Sequence, residues 1–208
     1  MIFENRTYAG VLLGAELLKK KYPKPHVFAL PRGGVPVAYE VARELDAPLD
    51  IIVVRKLGTP FDPELGFGAI APGGIELLDH NIIKRYQLHI DAIETVRKAE
   101  KAELERRSRL YHGWNPGDLS GQSAIVVDDG LATGISMTAA ITYLRKFHPA
   151  KLIVAVPVAP DSIESQFIGV VDELVCLYFD EDFISVGDYY NHFPQLSDED
   201  VTTILGQN

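Results

Sequence analysis

The sequence predicts an α/β domain with a central, mainly parallel sheet flanked by helices, and three observations carry that expectation. Short apolar runs at Val27–Leu30, Leu49–Val54, Ser123–Val127, Lys151–Val156 and Glu173–Leu177 suit strands covered on both faces. Helical patterning separates these runs, the alternation a parallel sheet requires. Two of the runs pass directly into glycine-bearing turns that open helical segments, and the carboxyl edge of such a sheet is where ligands bind. At 208 residues the chain is long enough for one well-buried domain, spanning 1–208, with a modest appendage.

In chain order, an amphipathic helix at about Arg6–Lys21 leads through Pro23 and Pro25 to the first strand, Val27–Leu30. Pro31-Arg32-Gly33-Gly34 follows at once, then a helix at Val35–Leu45 and a second strand at Leu49–Val54 with Arg55-Lys56 at its end. From about 56 to 74 the chain is rich in Gly, Pro and Phe without amphipathic patterning. That stretch predicts a loop or projecting hairpin of the kind that often serves as a lid, with Thr59 to Glu64 as its tip. A helical insert at about 79–112 reads as one or two helices over Ile82–His112, where Glu94/Lys98, Glu103/Arg107 and Glu105/Arg109 fall at i, i+4 spacing. A polar turn over 113–121 leads to the strand Ser123–Val127 and a helix at Ile135–Phe147. Lys151–Val156, a short helix near Ser162–Ile168 and the strand Glu173–Leu177 complete the core. The tail, about 177–208, is dense in aromatics, and these are expected chiefly to pack a small subdomain, although Phe179 or Phe183 could stack on a heterocycle.

A net charge of −9 argues against nucleic acid as a partner, because backbone binding needs a basic footprint. Any phosphate site must therefore be a local concentration of donors. The lone cysteine, Cys176, sits in an apolar run and reads as a core residue, compatible with a reducing cytoplasm. No signal-peptide pattern opens the chain, and no apolar run approaches the ~20 residues that span a bilayer, so a soluble cytoplasmic protein without a membrane partner is expected. The six histidines show no paired ligand spacing, and a structural zinc site is not expected.

The chemistry concentrates in two places. At the end of Ser123–Val127 stand Asp128 and Asp129, then Gly130, Leu131, Ala132, Thr133, Gly134, Ile135 and Ser136. Successive strand residues point to opposite faces, so the two acids should do different work, one gripping sugar hydroxyls and the other organising a cation. The small residues after them place amides at a helix N-terminus, a ready anion site. The second place is Pro31-Arg32-Gly33-Gly34, where the glycines leave amides free to approach an anion and Arg32 offers bidentate donors. A P-loop hydrolase would need G-x-x-x-x-G-K-[ST], and the chain has no such run. Gly66–Ala71 matches the dinucleotide pattern G-x-G-x-x-A in letters only. A Pro/Gly-rich loop precedes it and Pro72-Gly73-Gly74 follows, where a strand and a helix are required.

Residues Ile125–Ser136 resemble the phosphoribosyl-diphosphate signature of type I phosphoribosyltransferases, and over essentially its whole length the chain resembles a group of predicted members whose acceptor is undefined. The resemblance implies the type I phosphoribosyltransferase fold, with a small hood, built by the insert or the tail, and a flexible lid. It implies that Asp128 and Asp129 meet the ribose 2′- and 3′-hydroxyls and that Gly130 to Ser136 wrap the 5-phosphate. Arg32, Gly33, Gly34, Arg55 and Lys56 would face pyrophosphate, and Asp128, Asp129, Arg32 and Lys56 would form the catalytic set. The implied reaction moves 5-phosphoribosyl from its diphosphate to a nitrogen acceptor such as a nucleobase. Preorganised positive groups would stabilise the charge building on the leaving pyrophosphate. Magnesium would arrive on the substrate and reach Asp128 or Asp129 through water, with no direct protein ligand. Purine transferases for hypoxanthine and guanine tend to carry a further acid where this chain has Ala132. Its wording is nearer the adenine type, with Glu64 a conceivable substitute. The implied partners are phosphoribosyl diphosphate and a small nitrogen-containing acceptor, with a homodimer open. The alternative is a non-catalytic regulatory protein that senses phosphoribosyl diphosphate, since one fold hosts many functions; a phosphohydrolase would need an activated water, and no dedicated base stands out for one.

Overall fold

A computed structural model describes residues 2–63, 65–111 and 116–206. Its core is a five-stranded sheet in the order β2-β1-β6-β7-β8, with every neighbour parallel. The strands are β1 (Pro25–Ala29), β2 (Leu49–Ile51), β6 (Ser123–Val127), β7 (Lys151–Pro160) and β8 (Glu173–Asp180). Alternation along them divides the core in two. Val27, Ala29, Ile125, Val127, Ile153 and Ala155 pack with α1 (Arg6–Leu18) and α2 (Gly34–Leu45). Phe28, Ala124, Val126, Leu152 and Val154 pack with α5 (Ile135–Arg145) and with Phe167 of the short α6 (Glu164–Phe167) on the other face. Such continuous apolar strands are what a doubly covered parallel sheet needs.

Helix α1 starts at Asn5, whose side chain accepts the Tyr8 N–H at 2.8 Å, a favoured N-cap arrangement. It crosses α2 closely because Gly10 and Gly14 face that helix. A Cβ on Gly10 would stand 2.6 Å from the Val37 carbonyl oxygen, and one on Gly14 2.7 Å from the Glu44 Cβ.

The second apolar run behaves differently from its sequence pattern. Only Leu49–Ile51 pairs in the parallel sheet. The chain then leaves it through buried Ile52–Val54, and Arg55-Lys56 open a strand instead of ending one. The segment expected as a loop or hairpin forms a separate antiparallel sheet of β3 (Arg55–Gly58), β4 (Gly66–Ala71) and β5 (Ile75–Leu78). Its apolar residues Leu57, Phe67 and Ile70 join Ile93 and Leu104 of α4 (Ile90–Leu110) in the first core cluster. Glycine hides these strands from propensity but is needed for close approach: a Cβ on Gly68 would overlap the Leu77 carbonyl oxygen. Because Gly66–Ala71 is a strand here, the dinucleotide reading fails on context as well. The insert divides into α3 (His80–Arg85) and α4.

The tail folds back onto the chain's beginning. The Phe3 N–H donates to the Tyr189 carbonyl at 2.7 Å and the Asn191 N–H to the Phe3 carbonyl at 2.8 Å. Phe3, Ala9, Val158, Tyr189 and Tyr190 make a third cluster, with Phe183 stacked on Tyr189 at 5.4 Å between centroids. The aromatic tail is therefore largely packing. It ends in α7 (Asp198–Leu205), which begins with a reciprocal Ser197/Asp200 capping box and docks through buried Val201. Among the described residues, no helix is long and apolar enough to cross a membrane.

Fully buried Leu13 and exposed Leu18 lie on one helix. Leu13→Ala should lower unfolding free energy by about 2–5 kcal/mol, whereas Leu18→Ala should stay within about 0.5 kcal/mol, as read from urea unfolding. Equal effects would contradict the assigned face of α1.

Candidate active site

Strand β1 connects to β2 on one side of the sheet, while β6 continues to β7 on the other. The carboxyl ends of β1 and β6 thus meet where the strand order reverses, the crevice at which open α/β sheets bind ligands. The Leu30 N–H donates to the Val127 carbonyl at 3.0 Å and ties the two ends together. The Pro31–Gly34 turn, whose Pro31–Arg32 peptide is cis, then lies directly on the acids. A Cβ on Gly33 would overlap Asp129 Oδ2, and one on Gly34 would be 2.8 Å from both the Asp128 Cα and the Val127 carbonyl oxygen. Two motifs nearly a hundred residues apart are one structure, and any larger residue at either glycine would separate them.

The acid pair is asymmetric. Asp129 Oδ2 accepts from Arg6 Nε at 2.8 Å. Arg6 is 8% exposed; its Nη1 donates to the Pro194 carbonyl at 2.8 Å, and its guanidinium lies 3.7 Å from the Phe193 ring centroid. The Tyr190 hydroxyl donates to the Asp129 carbonyl at 2.6 Å. Asp128 accepts its neighbour's backbone N–H, at 2.9 Å, and makes no ion pair among the described residues. Both carboxyls sit above the usual range. For Asp128 the cause is burial first and the Asp129 charge second; for Asp129 it is burial, opposed by Arg6. Sequence reasoning did not single out Arg6. Its one signal was position, since a cation in the first turn of a helix opposes the macrodipole and needs another partner.

After the acids, Gly130 packs so tightly that a Cβ would stand 2.7 Å from Val186 Cγ1, and buried Leu131 donates its N–H to the Val158 carbonyl at 2.9 Å. Ala132 and Thr133 are exposed, and Ile135 and Ser136 are half-buried. Gly134, at φ +72°, adopts the left-handed backbone that glycine tolerates and caps α5. The first bond of that helix runs from the Thr138 N–H to the Gly134 carbonyl, so the preceding amides keep the orphan-donor character of a helix N-terminus. A cleft of about 580 Å³ is lined by Thr133 and Ile135 together with Gly66, His80 and Asn81. A larger cavity, about 650 Å³, lies between Pro72–Gly74 and α4 and shares no lining residue with either loop.

The basic residues divide. Arg32 remains with the acids and glycines, its Nη1 3.6 Å from Asp198 Oδ1. Asp198 also accepts from the Tyr111 hydroxyl and from Arg106, both at 2.6 Å, which hold its carboxyl down at about 2. Arg106 thus ties α4 to the tail through Asp198. Arg55 is directed to α4, its Nε bonded to Glu100 at 2.7 Å. Lys56, the next residue on β3, takes the opposite face, where its stem passes 2.9 Å from a Cβ position on Gly66. Glu64 lies outside the described residues. Among the described residues no three His, Cys, Asp or Glu side chains gather into a metal site. Cys176, its thiol pushed up to about 12 by burial, donates to the Tyr178 carbonyl at 3.2 Å and belongs to the core.

The phosphoribosyl transferase domain model matches residues 7–175. Two Mycobacterium tuberculosis proteins, from two strains and named as candidate phosphoribosyl transferases, are each 42% identical over 205 residues. The alignment covers 98% of this chain and 46% of theirs, so the chain spans about half the length of these curated relatives. The TT1426 protein of Thermus thermophilus is 37% identical, with a TM-score of 0.77 over 100% of this chain and 99% of that one. A Neisseria gonorrhoeae protein solved with bound ppGpp, 11% identical with a TM-score of 0.53 over 99% and 96% of the two chains, shares the fold.

Raised acids have a measurable cost. The folded chain binds a proton at Asp128 more tightly than the unfolded chain does, so this group's contribution to stability is full at low pH and falls as pH rises from the ordinary carboxylate range toward the folded value. Asp128→Asn should raise stability at neutral pH and flatten this slope, measured by thermal unfolding at pH 5 and pH 8. A variant less stable at both would contradict the burial argument.

Proposed function

The chain belongs to the phosphoribosyl transferase domain family, and from that premise we propose that it transfers 5-phosphoribosyl from phosphoribosyl diphosphate to a nitrogen acceptor such as a nucleobase, releasing pyrophosphate. The observation that carries this reading is the contact of Gly33 and Gly34 with Asp128 and Asp129, because it sets an anion-binding turn and sugar-binding acids within the span of one sugar diphosphate. The amides leading into α5 complete the set as the 5-phosphate end.

Each group has a defined task. The C1′–O bond to the diphosphate breaks with its electron pair leaving on pyrophosphate, and a C1′–N bond forms from the acceptor nitrogen's lone pair as that nitrogen gives up its proton to water or to the departing pyrophosphate. The Arg32 and Gly33 amides and the Arg32 guanidinium stabilise the charge that develops on the leaving group. Arg32 already faces the Asp198 carboxylate, so its guanidinium is placed for an anion. Asp128, the acid without a cation partner among the described residues, accepts from ribose hydroxyls. It also fits a magnesium carried by the diphosphate, which would supply charge neutralisation. With no protein metal cage among the described residues, that ion would take most of its oxygens from substrate and water, with Asp128 reaching it through water. The lid that excludes water from the sugar is the segment at about 56–74, and the tail, with Val186 against Gly130, builds the hood.

Calorimetric titration with magnesium and phosphoribosyl diphosphate tests this reading. Saturable binding to the natural chain, weakened more than about tenfold in Asp128→Asn, is expected, followed by pyrophosphate release with a nitrogen base. A folded chain that binds nothing overturns the reading. Binding without release across bases and amines would replace it with the sensing alternative.

A further inference from the structure

Arg32, the cation of the Pro31–Gly34 turn, already has an anion beside it. Its Nη1 lies 3.6 Å from Asp198 Oδ1, in the first turn of α7. The same Oδ1 accepts the Tyr111 hydroxyl at 2.6 Å, and Oδ2 accepts from Arg106 Nη2 at 2.6 Å. Of these three partners Arg32 alone stands beyond hydrogen-bond reach. Its side chain is 35% exposed, so the guanidinium keeps an open side for a ligand. Asp198 cannot follow it, because α7 is fixed by its capping box and by fully buried Val201. Arg32 can turn away at small cost, since Tyr111 and Arg106 keep both carboxylate oxygens satisfied.

We propose that Asp198 is a positioning residue for the leaving group: it competes with pyrophosphate for Arg32 and takes that side chain back when pyrophosphate departs. The proposal rests on the transferase reading and adds to it what sets the grip on the product. Pyrophosphate carries more negative charge than one carboxylate, so it draws the guanidinium from Asp198 as it forms. The fixed charge of Asp198 remains close by and opposes the bound anion. A product held less tightly leaves faster, and product release limits many enzymes. Partly exposed charges interact modestly, so Asp198 tunes affinity rather than gating the site. Tyr111 is its counterweight. By donating to the oxygen that faces Arg32, the Tyr111 hydroxyl weakens that oxygen's hold on the guanidinium and leaves Arg32 available to the ligand.

The test titrates magnesium pyrophosphate and ribose 5-phosphate into the natural chain, Asp198→Asn, Asp198→Glu, Glu199→Gln and Tyr111→Phe, each first shown to be folded by circular dichroism. Asp198→Asn should bind magnesium pyrophosphate about threefold tighter or more, with ribose 5-phosphate changed less than about twofold. Asp198→Glu keeps the charge and should return most of the way to the natural affinity. Glu199→Gln removes the same charge from an exposed neighbour and should move neither affinity beyond about twofold. Tyr111→Phe leaves Oδ1 to Arg32 and should weaken pyrophosphate by about twofold or more. Unchanged or weaker pyrophosphate binding in Asp198→Asn overturns the proposal, as does an equal gain in Glu199→Gln, which would make net charge the cause. A merely structural role for Asp198 would loosen both fragments together, which also overturns it. These failures leave the transferase reading intact, whereas a natural chain that binds neither fragment defeats that reading itself. If Asp198→Asn does not fold, Tyr111→Phe carries the test with the opposite sign, and tighter or unchanged pyrophosphate binding there overturns the proposal.

Discussion

The seating of the Gly33-Gly34 backbone on the Asp128-Asp129 pair constrains nearly every other feature of this molecule. It requires the ends of β1 and β6 to be adjacent, which the order β2-β1-β6-β7-β8 provides. It requires two residues without side chains, because either Cβ would penetrate an acid or its backbone. It also buries two neighbouring carboxyls, and burial pushes both toward the protonated form, with the Asp129 charge adding to the effect at Asp128. Among the described residues the cation that pairs with them is Arg6, and its partner is Asp129. Asp128 is left without an ion pair among the described residues.

Holding Arg6 in place explains the tail. Aromatic residues that read from the sequence as packing or as an acceptor clamp serve mainly to bring Tyr190, Phe193 and Pro194 against helix α1 and the acid pair. Further along, Asp198 gathers Arg32, Arg106 and Tyr111, so the tail touches the Pro31–Gly34 turn as well. Residues near both ends of the chain are thereby engaged with the groups that line the site.

How legible this was depended on where the determining interactions lay. Ser123–Val127 was read to the residue because a doubly buried strand is apolar throughout and its two flanking features, the turn at Gly121 and the acids, are local. The signature and the Arg-Gly-Gly turn were equally visible, though not the fact that they touch, since that contact is made across the sheet. The antiparallel sheet was obscured by Gly66 and Gly68, whose low strand propensity masks a requirement for close backbone approach. Arg55 could be placed in sequence at a strand end, but its partner Glu100 belongs to a distant helix. Helix α7 carried a local signal, the Ser197/Asp200 capping box, that the aromatic density before it overshadowed. Arg6 left almost no trace, because a buried ion pair spanning 123 residues has no periodicity to reveal it.

A crystal structure of the protein with magnesium and phosphoribosyl diphosphate tests the central claim most directly. The account predicts the 5-phosphate on the amides leading into α5, the diphosphate on the Pro31–Gly34 turn and the ribose hydroxyls at the acid pair that ends β6. A diphosphate bound away from the Pro31–Gly34 turn, or a sugar that does not reach the acid pair, would contradict it.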